Sequence, residues 1–269
     1  MTAAEDDRRP LFGKRVLVTR TRAQSEGLSA LLRERGAVPI AVPAIEIHPP
    51  PDPVPLARAV ASFPSAYDLV AFTSANAVER FVAALTGEGR DAGAFGQAKI
   101  AAVGTGTADA LARHGLRSDI VAKDSKGEGL AAEIIAHAEA LGRKRVLLPR
   151  ALVAREALPL LLRAEGFTVD VVPAYETRAP PAEALAALRA DLDAGRIDAV
   201  TFTSGSTVEN LADALGPDAA FILRGAKTFS IGPITTAAAR QRGILVAATA
   251  PSPTISGLIS ALEGYFGSV

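Results

Sequence analysis

The chain repeats itself, and that repeat limits its fold more than any other feature. Val16-Leu-Val-Thr-Arg20 recurs as Val146-Leu-Leu-Pro-Arg150, an offset of 130 residues. At the same offset Gly36 matches Gly166, Pro43 matches Pro173, Glu46 matches Glu176 and Asp68 matches Asp198. So do Phe72-Thr-Ser74 with Phe202-Thr-Ser204, and Val78 with Val208. After a two-residue deletion the offset becomes 128, pairing Gly104 with Gly232, Thr107 with Thr235, Gly115 with Gly243, Ala122 with Ala250 and Leu130 with Leu258. One short gap across so many glycines, prolines and strand ends marks a duplication.

Each copy alternates strand with helix. Arg15–Thr19 is a short β-branched run, followed by a helical pattern over Ala23–Arg35 with Leu28, Leu31 and Leu32 on one face and Gly36 as its stop. Further strands are predicted at 38–42, 69–73, 100–103, 119–122, 145–148, 168–172, 199–203, 228–231 and 245–248, most of them followed by Ala/Leu-rich helices. Such alternation means parallel sheets covered by helices on both faces. Each copy supplies about five strands, the size of a doubly wound, flavodoxin-like α/β sheet. Two proline-dense segments, Pro43-Ala-Ile-Glu-Ile-His-Pro-Pro-Pro51 and Pro173-Ala-Tyr-Glu-Thr-Arg-Ala-Pro-Pro181, break the pattern at equivalent places. They read as extended linkers rather than helix or interior strand, able to pair as a two-stranded hinge. The repeat leaves two connectivities open: sequential domains, or a chain that crosses at one linker and returns at the other.

Composition removes whole classes of function. There is no cysteine, so disulfides, thiolate zinc sites, iron–sulfur ligation and thiol nucleophiles are excluded. Zero formal net charge offers no nucleic-acid footprint. The charged stretch Met1–Pro10 lacks the apolar core of a signal peptide, and no apolar run reaches the ~18 residues that span a bilayer. A cytoplasmic protein with no membrane contact is expected. No Gly-x-Gly-x-x-Gly follows the first strand, no Walker-type loop occurs, and Gly104-Thr-Gly-Thr-Ala-Asp109 lacks the third glycine of a dinucleotide turn. His48, His114 and His137 are not spaced with carboxylates as a metal site requires; His114 is expected to end a helix and His137 to lie in one, both on the surface. Neither metal nor cofactor is expected.

What remains is a set of hydroxyl-rich loops at the C-terminal ends of strands, where α/β sheets bind ligands. They are Thr73-Ser74-Ala-Asn76, Gly104-Thr-Gly-Thr107, Thr203-Ser204-Gly-Ser206, Gly232-Pro-Ile-Thr235 and Pro253-Thr254, each opening a helix. Ser206-Thr-Val-Glu209 reads as a capping box, and such caps stabilise helices by ~1 kcal/mol with no ligand at all. Five loops on equivalent edges instead suggest an anion-binding rim of N–H and O–H donors, to which Arg20 and Arg150, each just past a strand end, add cations.

In order and spacing, these pieces resemble the uroporphyrinogen-III synthase family along nearly the whole chain. The matching segments are Val16–Arg20, Phe72-Thr-Ser-Ala-Asn-Ala-Val78, Val103-Gly-x-x-Thr107, Leu148-Pro-Arg150, Ala174-Tyr-Glu-Thr177, Asp198–Ser204, Ile231-Gly-Pro-x-Thr235 and Pro253-Thr-Ile-x-Gly-Leu258. Thr105 and Gly205 depart from the pattern, standing where proline is common. The resemblance implies a crossing chain: domain 1 from residues 1–45 and 178–269, domain 2 from 50–173, hinge linkers at 46–49 and 174–177, and an active site in the cleft. It also implies the reaction. Hydroxymethylbilane, a linear tetrapyrrole with eight carboxylates, loses water and closes through a spiro intermediate that inverts ring D. Closure without inversion proceeds readily uncatalysed, so such an enzyme imposes shape more than strong acid or base, which suits a donor-rich, histidine-poor site.

Water loss still needs one proton donor. Tyr175 is the candidate, because a phenol with a reference pKa near ~10 stays protonated at neutral pH. Its repeat counterpart is Ile45, so folding does not demand a phenol there. The expected substrate-binding residues are Arg20, Thr73, Ser74, Asn76, Gly104, Thr107, Arg150, Ser204, Ser206, Gly232, Thr235 and Thr254. A monomer with transient contact to hydroxymethylbilane synthase is expected. The competing readings are a non-catalytic two-domain binding protein of periplasmic-binding-protein shape and, less consistent with the missing phosphate loop, a nucleotide-dependent transferase.

Overall fold

A computed structural model describes residues 9–124, 126–142 and 144–268; most of the charged N-terminal stretch lies outside them. Along the chain run β1 (Arg15–Val18), α1 (Arg22–Glu34), β2 (Val38–Ala41), β3 (Glu46–His48), α2 (Val54–Ser62), β4 (Leu69–Phe72) and α3 (Ala75–Gly87). Then follow β5 (Lys99–Ala102), α4 (Thr105–Arg113), β6 (Ile120–Val121), α5 (Gly127–Ala136), β7 (Arg145–Ala151), α6 (Ala157–Ala164) and β8 (Thr168–Arg178). The last third holds α7 (Ala182–Asp193), β9 (Ala199–Phe202), α8 (Gly205–Leu215), α9 (Ala219–Ile222), β10 (Lys227–Ser230), α10 (Pro233–Gln241), β11 (Val246–Thr249) and α11 (Ile255–Gly267).

The chain divides into two compact units: unit 1 runs up to Glu46 and resumes at Arg178, and unit 2 is Ile47–Thr177. The sheet of unit 1 has the order β11-β10-β9-β1-β2, with every pair parallel. That of unit 2 has the order β3-β8-β7-β4-β5-β6, parallel from β8 to β6. Numbered within its own unit, the first sheet reads 2-1-3-4-5, the flavodoxin-like order. The second is the same sheet with its first two strands arriving last. Duplication explains this, since β7 and β8 are the repeat copies of β1 and β2, while β9, β10 and β11 copy β4, β5 and β6.

Alternation along each strand feeds both faces. Val70 and Phe72 of β4 pack under α2, α3 and α4, whereas Leu69 and Ala71 join Leu130, Ile134 and Leu162 on the other side. In unit 1 Leu17 faces Val208 and Leu211, and Val16 and Val18 face Leu28, Leu32 and Leu258. Each large side chain so enclosed contributes ~1.5–3 kcal/mol. The repeated aspartates are structural: Asp198 accepts the Arg15 N–H at 2.7 Å and Asp68 accepts the Arg145 N–H at 2.9 Å, tying neighbouring strands at their N-terminal ends.

Four expectations need correction. The segment from Pro173 to Arg178 is regular interior strand, because β8 continues through it between β7 and β3; β3 comes from the other proline-dense segment, so the expected pairing of the two segments is present. Proline is tolerated there because pairing with β7 jumps from Arg150↔Pro173 to Ala151↔Tyr175, a bulge that leaves Ala174 unpaired. β6 is shorter than 119–122: only Ile120–Val121 is regular strand, although the Asp119 and Ala122 N–H groups still donate to the Ile100 and Ala102 carbonyls, and the Ile100 N–H goes to the Asp119 carboxylate in place of a strand carbonyl. His137 follows α5 as its C-cap, and His114, also a C-cap, is half-buried with Nε2 2.7 Å from Glu79. The capping box sits two residues earlier than expected, at Ser204 and Thr207, because β9 ends at Phe202 and the helix begins at once.

Candidate active site

An open α/β sheet binds ligands beyond the C-terminal ends of its strands, where neighbouring connections leave in opposite directions. In unit 2 that switch point lies between β4 and β7, and in unit 1 between β9 and β1. Thr73, Ser74 and Asn76 follow β4, and Ser204 and Ser206 follow β9. Arg20 lies just beyond β1 and is half-buried. The remaining candidates open helices further along each edge: Gly104 and Thr107 at α4, Gly232 and Thr235 at α10, and Thr254 at α11.

The switch point of unit 2 gathers three of these residues. Ser74 is extended (φ −163°, ψ 154°) and caps α3, its Oγ accepting the Ala77 N–H at 3.1 Å. The bulge in β8 sends Tyr175 across β7, so that its phenol oxygen lies 2.9 Å from Ser74 Oγ. The Leu152 N–H, bound to the Tyr175 carbonyl at 2.8 Å, holds the backbone at this turn of register. Tyr175 is only 6% exposed, and its ring joins Phe72, Ala77 and Val78 in the core. Burial pushes the phenol above its ordinary value, while hydrogen bonds from Ser74 and Asn76 pull the other way without cancelling it. The result is a phenol kept protonated at neutral pH, with two polar groups ready to support the phenolate if its proton is given up.

Arg150 is not the free loop cation the sequence suggests. β7 extends to Ala151 because the longer β8 runs beside it, and this draws Arg150 into the strand, where it is 7% exposed. Its guanidinium donates to the Arg155 carbonyl at 2.9 Å and pairs with the Glu156 carboxylate, leaving Nε without a partner.

Unit 1 presents a different switch point. Ser204 Oγ accepts the Thr207 N–H at 3.2 Å, Thr207 Oγ1 accepts the Ser204 N–H, and exposed Ser206 places its hydroxyl 2.9 Å from Ser204 Oγ. Between β1 and β9 the Thr19 hydroxyl donates to the Thr201 carbonyl at 2.9 Å and the Thr201 hydroxyl donates to the Leu17 carbonyl at 2.8 Å. Gly232, like Gly104, caps its helix in extended backbone, and exposed Thr254 caps α11 by accepting the Gly257 N–H at 3.0 Å. Thr107 and Thr235 are 5% and 4% exposed, so their side chains are packed within their own units.

Nothing in the residue pattern singles out Arg80, which donates from α3 to the Ile47 carbonyl at 2.7 Å and anchors β3 to the helix that Ser74 caps. An arginine on a helix face resembles any solvated charge; only the position of β3 gives it a task. Among the described residues no group of three or more His, Asp or Glu side chains could hold a metal ion, and no helix is long and apolar enough to cross a membrane.

The sequence model of the uroporphyrinogen-III synthase HemD family matches residues 26–260. The uroporphyrinogen-III synthase of Synechococcus elongatus is 34% identical over 264 residues, covering 95% of this chain and 97% of that protein. That of Chlorobaculum parvum is 29% identical over 239 residues, covering 87% and 91%. Among solved structures, a mutant uroporphyrinogen III synthase from Thermus thermophilus has the same fold, with a TM-score of 0.65, 21% identity, and 96% and 100% of the two chains covered. With the family model matching residues 26–260 and a relative 34% identical over 95% of the chain, the chain belongs to the uroporphyrinogen-III synthase family.

Proposed function

We propose that Tyr175 is the proton donor in the reaction of this family, the closure of hydroxymethylbilane to uroporphyrinogen III with loss of water and inversion of ring D. The observation carrying this role is the buried Tyr175 phenol, 2.9 Å from Ser74 at the unit 2 switch point. Its O–H hydrogen-bonds the departing hydroxyl and transfers the proton as the C–O bond breaks, releasing water and leaving an azafulvenium cation beside the phenolate. Ser74 and Asn76 support the phenolate. The terminal pyrrole carbon attacks, the spiro intermediate reopens with ring D inverted, and the proton lost on final closure restores the phenol. Water is the only net loss, so no redox partner is needed.

In this reading the substrate carboxylates settle on helix starts at Ser74, Gly104, Ser204, Gly232 and Thr254, where free N–H groups and the positive end of each helix favour anions. Arg20 adds charge to the unit 1 rim. The reaction belongs in the cytoplasm, on a monomer that meets hydroxymethylbilane synthase transiently, since an unstable bilane has to be captured where it is released. The reading is tested by incubating the chain with hydroxymethylbilane, oxidising the products and separating the porphyrin isomers. The inverted isomer III is expected in excess over isomer I. Isomer I alone, at the uncatalysed rate, refutes the reading in favour of a binding protein.

A further inference from the structure

At the N-terminal end of β10, away from the residues discussed above, unit 1 contains a cavity of about 380 Å³. Leu223, Ala226 and Ile244 give it an apolar, buried lining, and Tyr265 adds a ring. Arg224 and Lys227 also line it, with no acidic residue among the lining. Neither cation has an ion-pair or hydrogen-bond partner among the described residues. Asp198, whose carbonyl holds the Lys227 N–H, keeps its carboxylate on the Arg15 N–H and on Lys14.

The repeat shows that the fold does not require this arrangement. At the offset of 128, Lys227 corresponds to Lys99, Ala247 to Asp119, Leu245 to Arg117 and Leu223 to Phe95. In unit 2 Lys99 Nζ lies 3.0 Å from Asp119, and Phe95 fills the corresponding interior against Phe63 and Phe81. In unit 1 the carboxylate has become Ala247, the phenylalanine a leucine, and the rim residue Leu245 stands 76% exposed. One copy has a neutralised, filled end; the other has two unneutralised cations beside an open pocket with apolar side chains at its base.

We propose that this cavity is a second binding site, for a small heteroaromatic carboxylate of one or two rings. The apolar lining takes the ring system, Tyr265 and the Arg224 guanidinium offer flat surfaces for it, and Lys227 and Arg224 take the carboxylate. The volume sits near the lower end of the ~300–1,000 Å³ typical of small-molecule sites, too small for a four-ring macrocycle. Occupancy is therefore independent of turnover at the switch points.

The test titrates isotope-labelled chain with indole-3-propionate at low salt. Saturable one-to-one binding is expected, with amide shifts centred on Lys227, Thr228 and Leu245–Ala247. The neutral indole-3-propionamide should bind about 10-fold more weakly or worse. Ala247→Asp restores the carboxylate that Lys99 has in unit 2, at an exposed strand position where the fold accepts it. It should cut affinity by about 10-fold or more while melting temperature and turnover stay at parent values. Lys227→Gln should act in the same direction. No saturable binding below ~10 mM, equal affinity for the amide, shifts centred elsewhere, or unchanged affinity in both variants would each overturn the proposal.

Discussion

The two units share one sheet order and one serine cap, yet their switch points are built for different work. In unit 1 the strands are tied by two threonine hydroxyls, Thr19 to the Thr201 carbonyl and Thr201 to the Leu17 carbonyl, and Ser204 is engaged in a reciprocal capping box. In unit 2 the equivalents of those threonines are Pro149 and Ala71, which have no hydroxyl to donate. There Ser74 keeps the cap but has Tyr175, not a threonine, as its second contact. Duplication preserved what the fold needs, a serine at the helix start. The longer β8 then brought a phenol to one copy only. The proposed role of Tyr175 rests on this asymmetry, and substitutions at matched positions separate it from the shared scaffold.

The largest effect is expected at Tyr175. Tyr175→Phe should lower turnover by ~10²–10⁴, the usual contribution of a general acid, while residual product remains mostly the inverted isomer. Because the phenol is buried and bonded to Ser74, the change should also cost ~0.5–1.5 kcal/mol of stability, more than a residue in an exposed linker would. Adding Ile45→Tyr should not restore activity, since unit 1 lacks the bulge that aims the side chain. Parent-rate turnover by Tyr175→Phe, measured under single-turnover conditions, would reduce the phenol to packing.

Ser74→Ala and Ser204→Ala come next. Each removes a helix cap, so each should lose ~1 kcal/mol by urea denaturation. Their turnover should part: Ser74→Ala also removes the phenol's partner and should fall ~10-fold or more, whereas Ser204→Ala should fall less. Equal losses in both would mean that the two switch points are chemically alike, and the contrast between the units would fail.

Much of this was legible in the residues because duplication left a ruler. Gly36 against Gly166, Asp68 against Asp198 and Ser74 against Ser204 fix the element order, and the contrast of Tyr175 with Ile45 points to the phenol. Local pattern failed where a tertiary neighbour decides. Pro173 argues against strand until β7 is present to bulge beside it, and Arg150 reads as a loop residue until β8 lengthens β7 around it. Ser206 looks like a cap as good as Ser204, and only the end of β9 chooses between them. Arg80 carries no local signal whatever.

A smaller effect concerns pH. Burial raises the Tyr175 pKa in the folded chain above the ordinary ~10 of an unfolded phenol. A raised folded value means that the phenol's contribution to stability is complete below ~10 and is lost as pH rises through the folded value. The stability gap between parent and Tyr175→Phe should stay constant from pH 7 to about 9 and shrink only above ~10. Absorbance titration should show the parent-minus-variant phenol ionising above that reference. A gap that shrinks between pH 7 and 9 would mean the phenol is not enclosed as described.

The smallest effect compares ion pairs on the two units. On unit 2, burial pushes the Glu79 carboxyl up, but hydrogen bonds from His114 and Arg113 outweigh it and leave the group below its ordinary value. On unit 1 Arg242, at the repeat position of His114, pairs instead with Asp213 at 2.5 Å, and no histidine takes part. All these side chains are substantially exposed, so solvent screens them and each pair is worth less than ~1 kcal/mol. A lowered folded value makes the Glu79 contribution present above its unfolded value and lost as pH falls through the folded one. Glu79→Gln should therefore cost a few tenths of a kcal/mol at pH 7 and nothing at a pH low enough to protonate the carboxyl in both states. Asp213→Asn, whose carboxylate is 65% exposed against 39% for Glu79, should cost less still. Paired urea curves at pH 7 and near the acid limit, repeated in high salt, measure both. A Glu79→Gln cost that persists at the acid limit would show that shape rather than charge sets it, because protonation by then has removed every ionic difference between the two chains.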